Sequence, residues 1–145
     1  MNFLPKNHNY LDAIKEDMKK QNFMKYIGFK LTKITPGYME GEIPFEDFLR
    51  QHKSLLHGGV IATISDLACG FAAHTLVSEN EYVVTSDLKI AYLNPGVGKK
   101  FLAKGWVIKA GSRMFFCEAE ISDAHSGILI AKSSATMVII PELNI

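Results

Sequence analysis

One stretch constrains the fold of this chain more than any other. Residues 55–77 read Leu-Leu-His-Gly-Gly-Val-Ile-Ala-Thr-Ile-Ser-Asp-Leu-Ala-Cys-Gly-Phe-Ala-Ala-His-Thr-Leu-Val. After the glycine pair the run is long enough for a multi-turn helix. Its residues are small or apolar nearly all the way round, and such a helix is expected to be buried on every side. It carries a single formal charge, Asp66. An ionised carboxylate in that setting costs several kcal/mol unless it is paired or protonated, so Asp66 needs a purpose. Length alone would permit a membrane span. The abundance of Gly, Ala, Ser and Thr, and Asp66 itself, argue against one.

The rest of the chain supplies what that helix packs on. At 145 residues it is most simply one domain. A formal net charge of +1 gives no footprint for nucleic acid or an anionic membrane. Cys69 and Cys117 sit among apolar neighbours and read as small core residues, not as a disulfide framework or a metal set. The first residues, Met-Asn-Phe-Leu-Pro-Lys, have no signal-peptide core, so a cytoplasmic protein is expected.

Over residues 9–27, Leu11, Ile14 and Met18 fall near helical spacing, while Lys15, Glu16, Lys19 and Lys20 supply a wet face. Asn7 or Asn9 can cap this helix and Gly28 can end it. Residues 29–35 and 38–44 read as a hairpin turning at Pro36-Gly37. A polar loop over 46–54 leads into the glycine pair. Four alternating runs follow the central helix, at 82–93, 100–109, 114–122 and 128–140. In the third, Phe115, Cys117, Ala119 and Ile121 point one way and Glu118 and Glu120 the other, the pattern of a half-buried strand. The order is helix, two strands, buried helix, four strands: an α+β chain whose mostly antiparallel sheet must curl around one helix. Small residues left on that helix then suit a second copy of the chain.

At helical spacing Gly59, Thr63, Asp66 and Gly70 share one face, carved small around the carboxylate. Gly58 and Gly59 put unpartnered N–H groups at a helix start, where the macrodipole favours negative charge. Donors aimed at a developing oxyanion, with a carboxylate about two turns away, suit attack on an acyl carbonyl. The plainer reading is that Gly-Gly only lets the chain turn and that Asp66 bonds a partner's backbone.

These residues resemble a known family. Gln51, then His57-Gly58-Gly59, then Asp66, are similar to the signature of hot-dog-fold acyl-CoA thioesterases. The nearest branch is the PaaI-like one of the 4-hydroxybenzoyl-CoA thioesterase superfamily. Thr85-Ser86-Asp87-Leu88 with Ala91-Tyr92-Leu93-Asn94-Pro95, and Lys109-Ala110-Gly111-Ser112-Arg113 with Glu118, resemble its later strands. The likeness covers residues 28–140, which would form the hot-dog domain (28–145) behind an N-terminal helical extension (1–27). It implies a curved antiparallel sheet around one long buried helix, and hydrolysis of acyl- or aroyl-CoA thioesters to free acid and coenzyme A. Asp66 would be nucleophile or general base, and the Gly59 N–H would polarise the carbonyl. His57 would shape the turn beside it. Gln51 would orient water or the thioester, and Thr85 would approach Asp66 across a dimer interface. Gly58, Asn94, Lys109, Ser112 and Arg113 would bind substrate, the last three near the coenzyme A phosphates. No metal or redox cofactor is implied, coenzyme A entering as part of the substrate. Homodimers sharing their sites would pair into homotetramers.

Two residues depart from the family pattern. Ser54 stands where glycine is common, and Asn94 where arginine is common. Phe71, Leu88, Met114, Phe115 and Phe116 are candidates for an acyl pocket or for core. Gly96-Val97-Gly98-Lys99-Lys100 lacks the outer residues of a phosphate loop, and the five histidines show no metal-ligand spacing. The competing functions are a module that binds acyl-CoA without cleaving it, an interaction domain without ligand, and a hot-dog dehydratase.

Overall fold

The computed structural model describes residues 2–141. In chain order it contains α1 (Tyr10–Lys20), α2 (Asn22–Ile27), β1 (Lys30–Thr35) and β2 (Tyr38–Pro44), then a 3-10 turn (Asp47–Leu49) and α3 (Gly58–His74). β3 (Glu81–Tyr92), β4 (Lys100–Ala110), β5 (Met114–Asp123) and β6 (Leu129–Pro141) complete it. The helix expected over 9–27 is two helices, because Gln21 takes a ψ of 76° and interrupts the ladder. Gly28 ends the second at φ 77°, the left-handed stop that glycine allows. Neither Asn7 nor Asn9 caps α1 through its side chain; Asn7 Oδ1 accepts the Asn9 N–H at 2.8 Å instead.

All six strands pair antiparallel in the order β1-β2-β4-β5-β6-β3, so β1 and β3 are the edges. The inner face of the sheet carries Phe101, Ala103, Val107, Phe115, Ala119 and Ile121, all buried against α3. Gly105 brings β4 against the helix backbone, since a Cβ there would collide with the Ala68 carbonyl. On the outer face Glu118 and Glu120 both pair with Lys132. This is the hot-dog architecture: a curved sheet wrapped on one long helix, with α1 added alongside.

The wrapping is one-sided within a single chain, and this corrects the expectation of burial all round. Ile61, Ile64, Ala68, Cys69 and Ala72 face the sheet and are buried. The strip of Gly59, Thr63, Asp66 and Gly70 stays partly open. Among the described residues no helix is long and apolar enough to cross a membrane.

β3 hides a change of phase inside what reads as one alternating run. Thr85 pairs with Met137 and Asp87 with Thr136, leaving Ser86 as a bulge. Before it Val83 and Thr85 face inward; after it Leu88 and Ile90 do, opposite Ala135 and Ser133. Without the extra residue Asp87 would turn into the core.

Candidate active site

The bulge and the helix face together set the position of the acid. Directly opposed residues of an antiparallel pair share a face, so Thr85 points inward with its partner Met137, which is fully buried. There its hydroxyl donates to Asp66 Oδ1 at 2.5 Å and lies 3.4 Å from the Met137 sulfur. Thr85 therefore meets Asp66 within one chain, not across a dimer interface as expected. The bond holds the half-buried carboxylate by one oxygen, and Oδ2 takes no hydrogen bond among the described residues. Both residues line a hollow of about 620 Å³.

The start of α3 forms a second, shallower hollow, lined by Gln51, Gly58, Ile61, Tyr92 and Asn94 among others. His57 is the N-cap residue, and its Nδ1 accepts the Gly59 N–H at 2.9 Å. The Val60 N–H bonds the His57 carbonyl at 2.9 Å. That leaves the Gly58 N–H as the first-turn donor without a partner among the described residues. The expectation for Gly59 is thus corrected: its donor is spent on the cap, and Gly58 holds the one available to a ligand. The Tyr92 hydroxyl fixes this end by donating to the Gly58 carbonyl at 3.0 Å.

Gln51 is held by its own loop. Its N–H donates to the Leu55 carbonyl at 2.9 Å, and its Oε1 accepts the Lys53 N–H at 2.6 Å. Asn94 donates from Nδ2 to the Leu129 carbonyl at 2.8 Å, so it braces β6 beside this hollow. Lys109, Ser112 and Arg113 lie apart from both hollows, exposed on the β4–β5 hairpin.

One chain therefore brings Asp66 and Thr85 together, and separately gathers Gln51, His57, Gly58 and Asn94. Eight residues of helix separate Gly58 from Asp66, about 12 Å at 1.5 Å per residue. Of the acyl-pocket candidates only Phe71 lines the hollow at Asp66. Phe115 is core and Leu88 packs against the core, while Met114 and Phe116 lie exposed. Burial pushes both cysteine thiols up, Cys117 to about 12, so neither is a thiolate nucleophile at neutral pH.

Sequence reasoning missed the part α1 plays. Tyr10, Ala13 and Asp17 line the hollow opposite Gly70 and His74. No apolar period marks these α1 positions, so only the packed structure exposes their role.

Fold and site together define a hot-dog protein with an open carboxylate on its central helix. Residues 54–130 match the thioesterase superfamily, and the chain belongs to that family of thioester hydrolases. A Saccharolobus solfataricus protein that bears an esterase name is 33% identical over 131 residues, 90% of this chain and 92% of that one. The medium/long-chain acyl-CoA thioesterase YigI of Escherichia coli K12 is 32% identical over 100 residues, 60% of this chain and 64% of its own. The solved structure of a thioesterase family protein from Silicibacter pomeroyi superposes with a TM-score of 0.87 at 29% identity, covering 91% of this chain and 98% of that one.

Proposed function

We propose that the protein hydrolyses acyl- or aroyl-CoA thioesters to the free acid and coenzyme A, at sites that two copies of the chain share. The observation that carries this is the Asp66 carboxylate, held through Oδ1 by Thr85 and open at Oδ2 on a hollow. Oδ2 attacks the thioester carbonyl carbon, or takes a proton from the water that does. The C–S bond then breaks, and the thiolate leaves and collects a proton. If Oδ2 attacks directly, water cleaves the resulting anhydride and restores the carboxylate.

A carbonyl under attack needs a donor for its oxygen within about 3 Å. The Gly58 N–H of the same chain is about 12 Å from Asp66 along the helix, so it serves a different thioester. A second copy laid antiparallel along the edge of β3 supplies the donor, together with its Gln51. In support, β3 is an edge strand and is exposed from Val84 to Asp87. Lys109, Ser112 and Arg113 contribute cations and a hydroxyl for the coenzyme A phosphates, and two such dimers form a tetramer. No metal or redox cofactor takes part. The name of the related YigI supports acyl-CoA as the substrate class.

Thiol release across short, medium, long and aromatic CoA esters tests the reading. Asp66→Asn is expected to lose at least about 100-fold in kcat/KM, the scale of acid–base and nucleophilic contributions, with an unchanged circular dichroism spectrum. A variant that keeps most of the activity overturns the role of Asp66. Isotope-labelled water in a single turnover separates general-base hydrolysis from direct attack in which water cleaves the anhydride at the Asp66 carbon. The first puts the label only in the product acid; the second puts the label in Asp66 and an Asp66 oxygen in the product.

A further inference from the structure

The hollow at Asp66 continues well past the reacting carbon. It runs along α3 toward its C-terminus, past Leu67, Gly70, Phe71 and His74, which share one helix face beside Asp66 at the spacing i, i+3, i+4, i+7. Gly70 leaves the wall open beside the carboxylate, since a Cβ there would meet nothing within 4 Å. The first half of β3 gives a second wall through Val83 and Thr85. The third wall is α1, with Tyr10, Ala13 and Asp17 on the face it turns to α3.

Two polar side-chain contacts join that third wall to the rest of the fold. Asp17 Oδ2 lies 3.5 Å from His74 Nε2, joining α1 to the last turn of α3. Lys6 Nζ lies 4.0 Å from Glu81 Oε2, joining the segment before α1 to the first residue of β3. The lining is apolar near Asp66, at Leu67, Phe71, Val83 and Met137. It turns polar away from it, at Glu16, Asp17, Lys20, His74, Glu79 and Glu81.

We infer that this channel takes the acyl chain of the substrate, that α1 is its length gauge, and that straight acyl chains of roughly ten carbons fill it. The inference rests on the thioesterase reading for its reacting end. Asp66 and His74 are eight residues apart, about 12 Å of helix. An extended chain advances about 3.5 Å per three bonds, so that span takes roughly ten bonds. A longer chain would carry methylenes onto the Asp17–His74 pair, and a shorter one would leave apolar wall wet.

Two variants move the gauge in opposite directions. Ala13→Phe fills the channel midway, and Asp17→Leu extends its apolar wall. Two readouts are taken on each: kcat/KM for butanoyl-, decanoyl- and tetradecanoyl-CoA, and the affinities of the matching S-alkyl-CoA thioethers, which cannot be hydrolysed. Wild type is expected to prefer the ten-carbon ligand. Ala13→Phe should lower the ten-to-four-carbon ratio at least about tenfold, and Asp17→Leu should raise the fourteen-to-ten-carbon ratio by a similar factor, the discrimination a few methylenes give. Simple loosening of α1 would shift both variants the same way. A flat wild-type profile, unchanged variants, or any pattern other than opposite shifts overturns the inference. If no ester is cleaved, the hydrolase reading fails while the thioether affinities still decide the channel.

Discussion

Ser54 holds a φ of 59°, the only left-handed residue other than glycine among those described. That conformation costs an L side chain about 1–2 kcal/mol, while glycine adopts it freely. The loop that carries Gln51 thus keeps a glycine-type backbone where the family often has glycine, and the departure at this position costs strain, not shape. Ser54→Gly is expected to raise stability by about 0.5–1 kcal/mol after the added unfolded-state entropy of glycine is offset. A chain of this size should then melt about 2–4 °C higher per kcal/mol gained, which calorimetry can read; a fall in melting temperature would show that the strain is absent. The residue scale also marks where sequence runs out. His-Gly-Gly followed by Asp66 is visible in the letters. Which glycine keeps its N–H is not, because that depends on the His57 ring turning back onto Gly59.

The strands were legible as elements because turn residues bracket them and alternation marks their faces. The hairpin turn at Pro36-Gly37 is where it was expected, with Gly37 at φ 75°. The Ser86 bulge was not legible, since one extra residue flips the phase and only the pairing with β6 reveals where. The turn between β5 and β6 offers a pH test at this scale. Asp123 Oδ2 accepts both the N–H of Ser126, at 2.8 Å, and its hydroxyl, at 2.5 Å. These bonds favour the charged form and hold the carboxyl below the usual carboxylate range. A depressed folded-state pKa gives stability that is present above the unfolded value, near 4, and is lost as pH falls through the folded one. Asp123→Asn carries no charge to lose. The melting-temperature gap between wild type and this variant should therefore narrow as pH drops from about 6 to about 3. A gap that stays constant would mean the turn does not depend on that charge.

At the scale of the whole molecule, the separation along α3 makes a demand that a genetic test can read. Gly58 and Asp66 of one chain sit about 12 Å apart, so the thioester site proposed above takes its donor from one copy and its acid from another. Gly58 is the first residue of α3, a position where proline is tolerated because its missing N–H costs the helix no bond. His57 already has the φ of −63° and ψ of 135° that a residue before proline prefers. Gly58→Pro should therefore keep the fold and remove a single donor, costing about 100- to 1,000-fold in kcat. Asp66→Asn removes only the acid. When the two inactive chains are co-expressed with different tags, half of the randomly assorted dimers are mixed. Each mixed dimer holds one site with both defects and one with neither, so about a quarter of wild-type activity should return, concentrated in the doubly tagged fraction. If the donor and the acid of one chain served the same carbonyl, every site would stay defective and no mixture would recover.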